Sequence, residues 1–408
     1  MRRTRFSQAK VFRLLCQFLL IAILAIACHH TTPTTSTATK GCINTYNPNI
    51  DYFPEKLTVN YATGFDVEYH KNYKLVTVKN PWRNAKTSFQ YILVQCGTPV
   101  PKYFQPSQVV TVPINTVVSL STTHFPHFAK LGVIDKLVGV SNTKRINTPE
   151  VVLKNKAGTI VEVGNNETVN TEKILELNPD LIMTYGVGNP QIDSHPKLIE
   201  AGLKVAINAE YMETSPLGRT EWLKFTALFF NQESIAQKTF NQISAKYENI
   251  VAKTKSIKKR PTTFTGFNFK GSWYAPGCKS YVAKYLADAG SKYLCANDSS
   301  GSIPSSFEDV FERAASADYW LNLSQSWQSL KDVIAEDNRY IDFAAVKKGN
   351  VYNNNARVNN SGANDYWESG TSNPDVVLSD LSKIFHPEIL PNHQLVYYHK
   401  LENNSNSK

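Results

Sequence analysis

The side chains in this sequence best suited to recognising a solute are aromatic rings in loop-like settings with cations near them. Trp273 and Tyr274 stand between Gly271 and Pro276-Gly277, a turn-rich context that favours a loop. Arg357 ends the polar run Asn353-Asn354-Asn355-Ala356-Arg357 and is its one cation, while Trp327 and Trp367 add two more indoles. Earlier in the chain, His124, Arg145 and Tyr185 each follow closely on an apolar, strand-like run. Rings and guanidinium groups of this kind bind by burial, cation–π contact and charge-assisted hydrogen bonds, without covalent chemistry. No GxSxG elbow, HExxH pair, phosphate-binding Walker loop or Gly-rich dinucleotide fingerprint occurs, so the chain reads as a binder rather than an enzyme. His124 and His127 flank Pro126 and offer two metal ligands, but a Zn²⁺ or Mn²⁺ site needs three or four. His195, His386 and His393 are scattered, so free-metal binding stands only as an alternative and no metal ligand is assigned.

The elements that must position these residues centre on the stretch from Ser215 to Pro261. Ser215-Pro216 is an N-cap followed by proline at the first helical position, and Trp222, Phe225 and Phe229 recur at helical spacing. Asn231-Gln232-Glu233 predicts a break. Beyond it Phe240, Ile243, Tyr247 and Ile250 form one apolar stripe on a long helix that Pro261 stops. Strand–helix alternation lies on both sides. Before the long helix come Thr116–Leu120, Leu137–Val140, Leu181–Tyr185 and Lys204–Ile207 as strands; after it come Phe264–Phe269 and Asp318–Leu323. Glu172 opens a helix that leads through Asp180 to a buried strand, and Glu308, Asp318 and the strand after it repeat that order. The fold class predicted is α/β: two Rossmann-like lobes joined by one long helix, with a β-rich extension in front. Ligands are then expected beyond the carboxyl ends of the strands.

Composition bounds the rest. Of the net charge of +10, five positive residues (Arg2, Arg3, Arg5, Lys10 and Arg13) lie in a leader without acid, leaving +5 spread over the remainder. That distribution argues against nucleic acid as a partner. The apolar run Leu14–Ala27 is short for a spanning helix and fits a secretory signal over residues 1–27. A Thr/Ser/Pro-rich tether is expected at 28–41, the β-rich extension at 42–105 and a first lobe at 106–230. The joining helix falls at 231–260, a second lobe at 261–402 and a polar tail at 403–408, expected to be disordered. An exported chain can form disulfides, and Cys42, Cys96, Cys278 and Cys295 are the candidates. Of the three possible pairings, 42–96 with 278–295 keeps each bridge inside one region.

At these residues the chain resembles the substrate-binding proteins of bacterial ABC importers, in the class with a single interlobe helix that delivers iron–siderophore complexes, haem or vitamin B12. Ala25-Ile26-Ala27-Cys28 resembles a lipoprotein signal, which implies lipidation of Cys28 and anchorage on the periplasmic side of the membrane. LNPDLIMTYG at 177–186, GSWYAPGCKSYVAKYLADAG at 271–290 and VYNNNARVNNSGANDYWESG at 351–370 carry the rest of the likeness. The resemblance implies a ligand cleft between two lobes and an inner-membrane permease as partner. It further implies docking of Glu172 and Glu308 against permease arginines, and a monomer with no cofactor of its own. The solute expected is a metal chelate, with a ferric siderophore ahead of haem and cobalamin, since ferric siderophores often bind as anions. The ligand contacts expected are His124, Arg145 and Tyr185 from the first lobe and Trp273, Tyr274, Trp327, Arg357 and Trp367 from the second. A lipid-anchored structural or adhesion protein is the rival from another class.

Overall fold

The computed structural model describes residues 41–102, 104–105, 108–164 and 168–403. The leader, the expected lipidation site Cys28, all but the last residue of the tether and all but the first residue of the tail lie outside the described residues. The extension is β-rich as expected, an antiparallel meander of β1 (Phe65–Tyr69), β2 (Tyr73–Val78) and β3 (Phe89–Gln95). β4 (Val109–Val112) then pairs parallel to β3. The sequence reading assigned this strand to the start of the first lobe. Its Val110 and Val112 instead join Val76, Val78 and Leu93 in one buried cluster, which draws the strand into the extension's sheet. A disulfide joins Cys42 to Cys96 at the end of β3.

The first lobe is a parallel sheet in the order β7-β6-β5-β8-β9. Its strands are β5 (Val117–Ser119), β6 (Leu137–Val140), β7 (Val161–Glu162), β8 (Leu181–Thr184) and β9 (Val205–Ile207). The helices between them are α1 (Phe125–Leu131), α2 (Pro149–Lys156), α3 (Thr171–Leu177) and α4 (His195–Glu200). β5, β8 and β9 are buried along their whole length, as parallel strands covered on both faces must be.

Two helices follow. In α5 (Pro216–Leu228) the Ser215 hydroxyl accepts from the Gly218 N–H, and the chain breaks near Asn231, whose φ of 52° is left-handed. α6 (Glu233–Lys255) then runs 23 residues, about 34 Å of rise, and buries the predicted stripe of Phe240, Ile243, Tyr247 and Ile250. Every residue of α5 is buried, including Arg219, Glu221 and Lys224, because the first lobe, the extension and the second lobe each cover part of it. The buried charges are paired. Lys224 Nζ lies 2.7 Å from Glu221 Oε1, and Arg219 Nη2 lies 2.7 Å from Glu210 Oε2.

The second lobe has the order β13-β10-β15-β16-β17. Its strands are β10 (Thr262–Thr265), β13 (Lys292–Tyr293), β15 (Tyr319–Leu321), β16 (Val351–Asn353) and β17 (His399–Lys400), parallel except for the last pair. A smaller antiparallel sheet of β11 (Phe267–Phe269), β12 (Ser272–Pro276) and β14 (Ser302–Ser305) stands at its edge. The helices are α7 (Tyr281–Asp288), α8 (Phe307–Ala314), α9 (Leu330–Glu336), α10 (Ala344–Lys347) and α11 (Pro374–Phe385). The single strand expected at 264–269 is two strands, divided at Gly266, where φ is 87° and a Cβ would lie 2.0 Å from the Tyr274 carbonyl oxygen. The loop expected at 270–277 is largely β12, paired on both sides. A second disulfide joins Cys278 to Cys295. The two lobes share the order β6-β5-β8-β9 and β13-β10-β15-β16, so in both the sheet changes direction beside its first strand, between β5 and β8 or β10 and β15. Such a switch point is where open α/β sheets leave a crevice for ligands.

Candidate functional site

A cavity of about 590 Å³ opens at those switch points. Val187 follows β8, Tyr211 and Met212 follow β9, Gly266 follows β10, and Asn322 and Leu323 follow β15. Tyr211, Phe267, Tyr274, Tyr281 and Trp367 supply its aromatic surface. Its size and its mixture of rings with a few polar groups suit a small-molecule site.

The sequence explains how each wall is held. At the break after β10, two indoles bond the backbone: Trp273 Nε1 donates to the Thr265 carbonyl at 3.0 Å and Trp320 Nε1 to the Gly266 carbonyl at 2.9 Å. That fixes Gly266 and presents Phe267, whose ring rests on Trp327 with centroids 5.6 Å apart. Tyr281 is backed by the Arg219 guanidinium 4.4 Å from its ring centroid. Tyr211 donates to the Gly186 carbonyl at 2.6 Å, and burial first, then Asp193 and Glu210, pushes its phenol up to about 12. Burial likewise raises the Tyr281 phenol. At neutral pH both are uncharged hydroxyls, and the one proton of Tyr211 is already engaged by the Gly186 carbonyl. Glu213 also lines the cavity, but its carboxylate is engaged by the Thr63 and Gly64 N–H groups, the Thr63 hydroxyl and Trp222 Nε1, all within 3.0 Å.

Of the eight ligand contacts expected from sequence, Tyr274 and Trp367 line the cavity, 43% and 46% exposed. The others stand elsewhere. Trp273 is 0% exposed, because neighbours on a strand face opposite sides and its side is the core, against Trp320 and Phe264. Trp327, 4% exposed, is a support behind Phe267 rather than a wall. His124 is buried with Nδ1 2.9 Å from the Ser119 hydroxyl, and burial pulls its pKa down to about 3, so it is neither a cation nor a cleft residue. Pro126 sits in the first turn of α1, where proline is tolerated. His127 is buried too and bonds Thr226. Arg357 is exposed but pairs with Asp365, Nε to Oδ2 at 2.8 Å. Tyr185 is half-buried in the loop after β8, outside the lining. Arg145 is exposed in the 3₁₀ turn Thr143–Arg145.

The segment just after Arg145 has a different use: it closes one side of the cleft. Glu368 of the second lobe, 1% exposed, accepts from the Asn147 N–H at 2.8 Å, the Thr148 N–H at 2.6 Å and the Thr148 hydroxyl at 2.5 Å. Asn359 donates to the carbonyls of Lys144 and Ile146. Glu172 and Glu308 are both exposed in the first turns of α3 and α8, where the helix ends favour a carboxylate. Glu308 has Arg339 Nη1 3.3 Å away.

Sequence reasoning missed Tyr211, Phe267, Tyr281 and Arg83 as cavity residues. Tyr211 carried a usable signal, its place just past the Lys204–Ile207 strand. Arg83 carried none, since it belongs to the extension. Among the described residues no cluster of three or more His, Cys, Asp or Glu side chains is placed to hold a metal ion, and no helix is long and apolar enough to cross a membrane.

Comparison with known proteins agrees with this geometry. Residues 117–358, more than half of the chain, match the periplasmic binding protein family. An uncharacterized lipoprotein of Methanocaldococcus jannaschii is 29% identical over 90% of this chain and 94% of its own. Among solved structures, a possible iron-binding periplasmic solute-binding protein of Staphylococcus epidermidis superposes with a TM-score of 0.53 at 18% identity, covering 67% of this chain and 98% of that one. The molybdate-binding protein of a Haemophilus influenzae ABC transporter, solved with molybdate, gives 0.53 at 17% identity, over 70% and 90%. These two share the fold and differ in what their names say they bind, so fold alone does not name a solute. With a cleft between two α/β lobes, a single long helix joining them and the family match across both, the chain belongs to the periplasmic binding proteins, solute-binding components of ABC importers rather than enzymes.

Proposed function

We propose that the protein captures a ferric chelate, a siderophore before haem or cobalamin, and hands it to an ABC permease. The observation that carries this reading is the interlobe cavity of about 590 Å³ walled by five aromatic side chains, with one cationic side chain at its edge. A bulky chelate with aromatic or conjugated ligand groups would bury against such walls and gain from their polarisable faces. A bare metal ion would need converging carboxylate, imidazole or thiolate ligands. Delivery would proceed through Glu172 and Glu308, one exposed acid on each lobe, accepting permease arginines. Export and lipidation at Cys28 would hold the protein as a monomer on the outer face of the cell membrane, the periplasmic side where an outer membrane is present; the relative named as a lipoprotein supports that placement.

The test is intrinsic fluorescence of the chain from residue 41 onward, titrated with ferric siderophores, haem and cobalamin. Saturable quenching that disappears in Trp367→Phe, with unchanged circular dichroism, is the expected result. Absence of quenching and of calorimetric heat with all three ligands would end the chelate reading.

A further inference from the structure

The extension lies outside the residues matched to the family, yet one of its side chains lines the cavity. Arg83 stands in the loop between β2 and β3 and is the only lysine, arginine or histidine in the lining among the described residues. Its anchorage comes from its neighbour. The Trp82 ring packs so closely on the loop after β8 that a Cβ at Gly188 would lie 2.5 Å from it and one at Gly186 2.8 Å. The ring also meets His195 and Phe89, at 5.4 and 6.0 Å between centroids. Held there, Arg83 reaches across to the second lobe and lies on Gly301, where a Cβ would be 1.7 Å from Nη2.

This guanidinium is exposed and has no ion pair or side-chain hydrogen bond among the described residues. The one carboxylate in the lining, Glu213, is held by four neutral donor groups and makes no ion pair with Arg83. Ser280–Val282, at the start of α7, line the same cavity and add the positive end of a helix to it. The cavity thus combines apolar rings with a guanidinium that makes no ion pair among the described residues.

We propose that the extension is part of the ligand site, and that Arg83 binds an anionic group of the solute. This rests on the solute-binding reading above and narrows it to anionic chelates. Gly301 is then a specificity residue, since a side chain there would occupy the space the guanidinium takes.

The experiment compares ferric tris-catecholate and haem, both anionic, with cyanocobalamin by calorimetry on wild type, Arg83→Gln, Arg83→Lys and Gly301→Val. An anionic probe should bind wild type, weaken with added salt, and lose about 10- to 100-fold in affinity with Arg83→Gln, the range for one hydrogen bond to a charged group. Arg83→Lys should recover part of the loss. Gly301→Val, which keeps the charge but displaces it, should behave like Arg83→Gln. Wild-type affinity in both Arg83→Gln and Gly301→Val, with binding still lost in Trp367→Ala, would overturn the role of Arg83 and leave the chelate reading standing. Binding of cyanocobalamin alone would overturn the anionic class, and binding of no probe would overturn both readings.

Discussion

Buried carboxylates should help to hold the extension to the rest of the protein, and Glu221 gives the sharpest test. Its oxygens accept from the N–H groups of Asn60, Tyr61 and Ala62 at 2.6 to 3.0 Å, and from Lys224 Nζ at 2.7 Å, with neither charged side chain exposed. Glu213 takes the next two amides, Thr63 and Gly64. Replacing Glu221 by alanine strands a buried ammonium and three amides at once. Breaking a buried pair on one side costs about 3–5 kcal/mol, so Glu221→Ala should lower the urea midpoint by on the order of 1 M. Removing both charges, in Glu221→Leu with Lys224→Met, should recover more than 1 kcal/mol of that loss, because the uncompensated ammonium goes with its partner. Hydrogen exchange should locate the damage in the amides of residues 60–62, ahead of those in β8 and β9. A loss below about 1 kcal/mol in Glu221→Ala, or strict additivity in the double variant, would refute the claim that this desolvated pair fastens the extension.

Other outcomes follow from the same structure. The buried His124 and His127, both near pKa 3, should make the protein acid-sensitive. The folded state keeps them neutral while the unfolded chain protonates near 6.5, so the stability they protect is complete above that value and is lost as pH falls toward 3, by about 2 kcal/mol each at pH 5. Melting of wild type against His127→Gln between pH 7 and 5 measures it, and parallel curves would refute it. Glu368 should act in the opposite sense. Burial raises its pKa, so the folded state holds the proton more tightly, and acidification from neutrality should strengthen its part of the closure; Glu368→Gln should remove that component from the pH profile. Trp273→Ala should cost about 3–5 kcal/mol of stability as a core truncation, whereas Trp367→Ala should leave melting nearly unchanged and weaken ligand binding. Charge reversal at both Glu172 and Glu308 should abolish uptake in cells with ligand affinity intact; an equal loss of affinity would remove their docking role.

Particular residues mark how far the chain could be read in advance. α6 was legible because Phe240, Ile243, Tyr247 and Ile250 repeat at the helical period, and the break before it because Asn231-Gln232-Glu233 interrupts that period. Trp273 and Tyr274 were not separable. They are neighbours in a Gly/Pro-rich stretch, and which one faces the core depends on β11 and β14 pairing on either side of β12. The expected loop became a strand for the same reason. His124 was misplaced because its ring turns inward onto the Ser119 hydroxyl, a contact with no local signal. Val109–Val112 was counted with the first lobe, and its pairing with β3 is a long-range contact that no local pattern signals.

Local order along the chain therefore determined the two α/β halves, the long helix between them, the repeated acid–helix–strand unit and the absence of catalytic motifs. All of these are patterns within some twenty residues, where backbone period and turn chemistry act directly. Tertiary structure alone decided the site. Its lining draws Arg83, Tyr211, Phe267, Tyr281 and Trp367 from segments up to 284 residues apart. Their meeting depends on sheet order, on which face of each strand is covered, and on a glycine at 301 that leaves room for a guanidinium from the other end of the fold. No local propensity encodes such a meeting, because the free energy that selects it comes from burial and pairing between elements that are strangers in sequence.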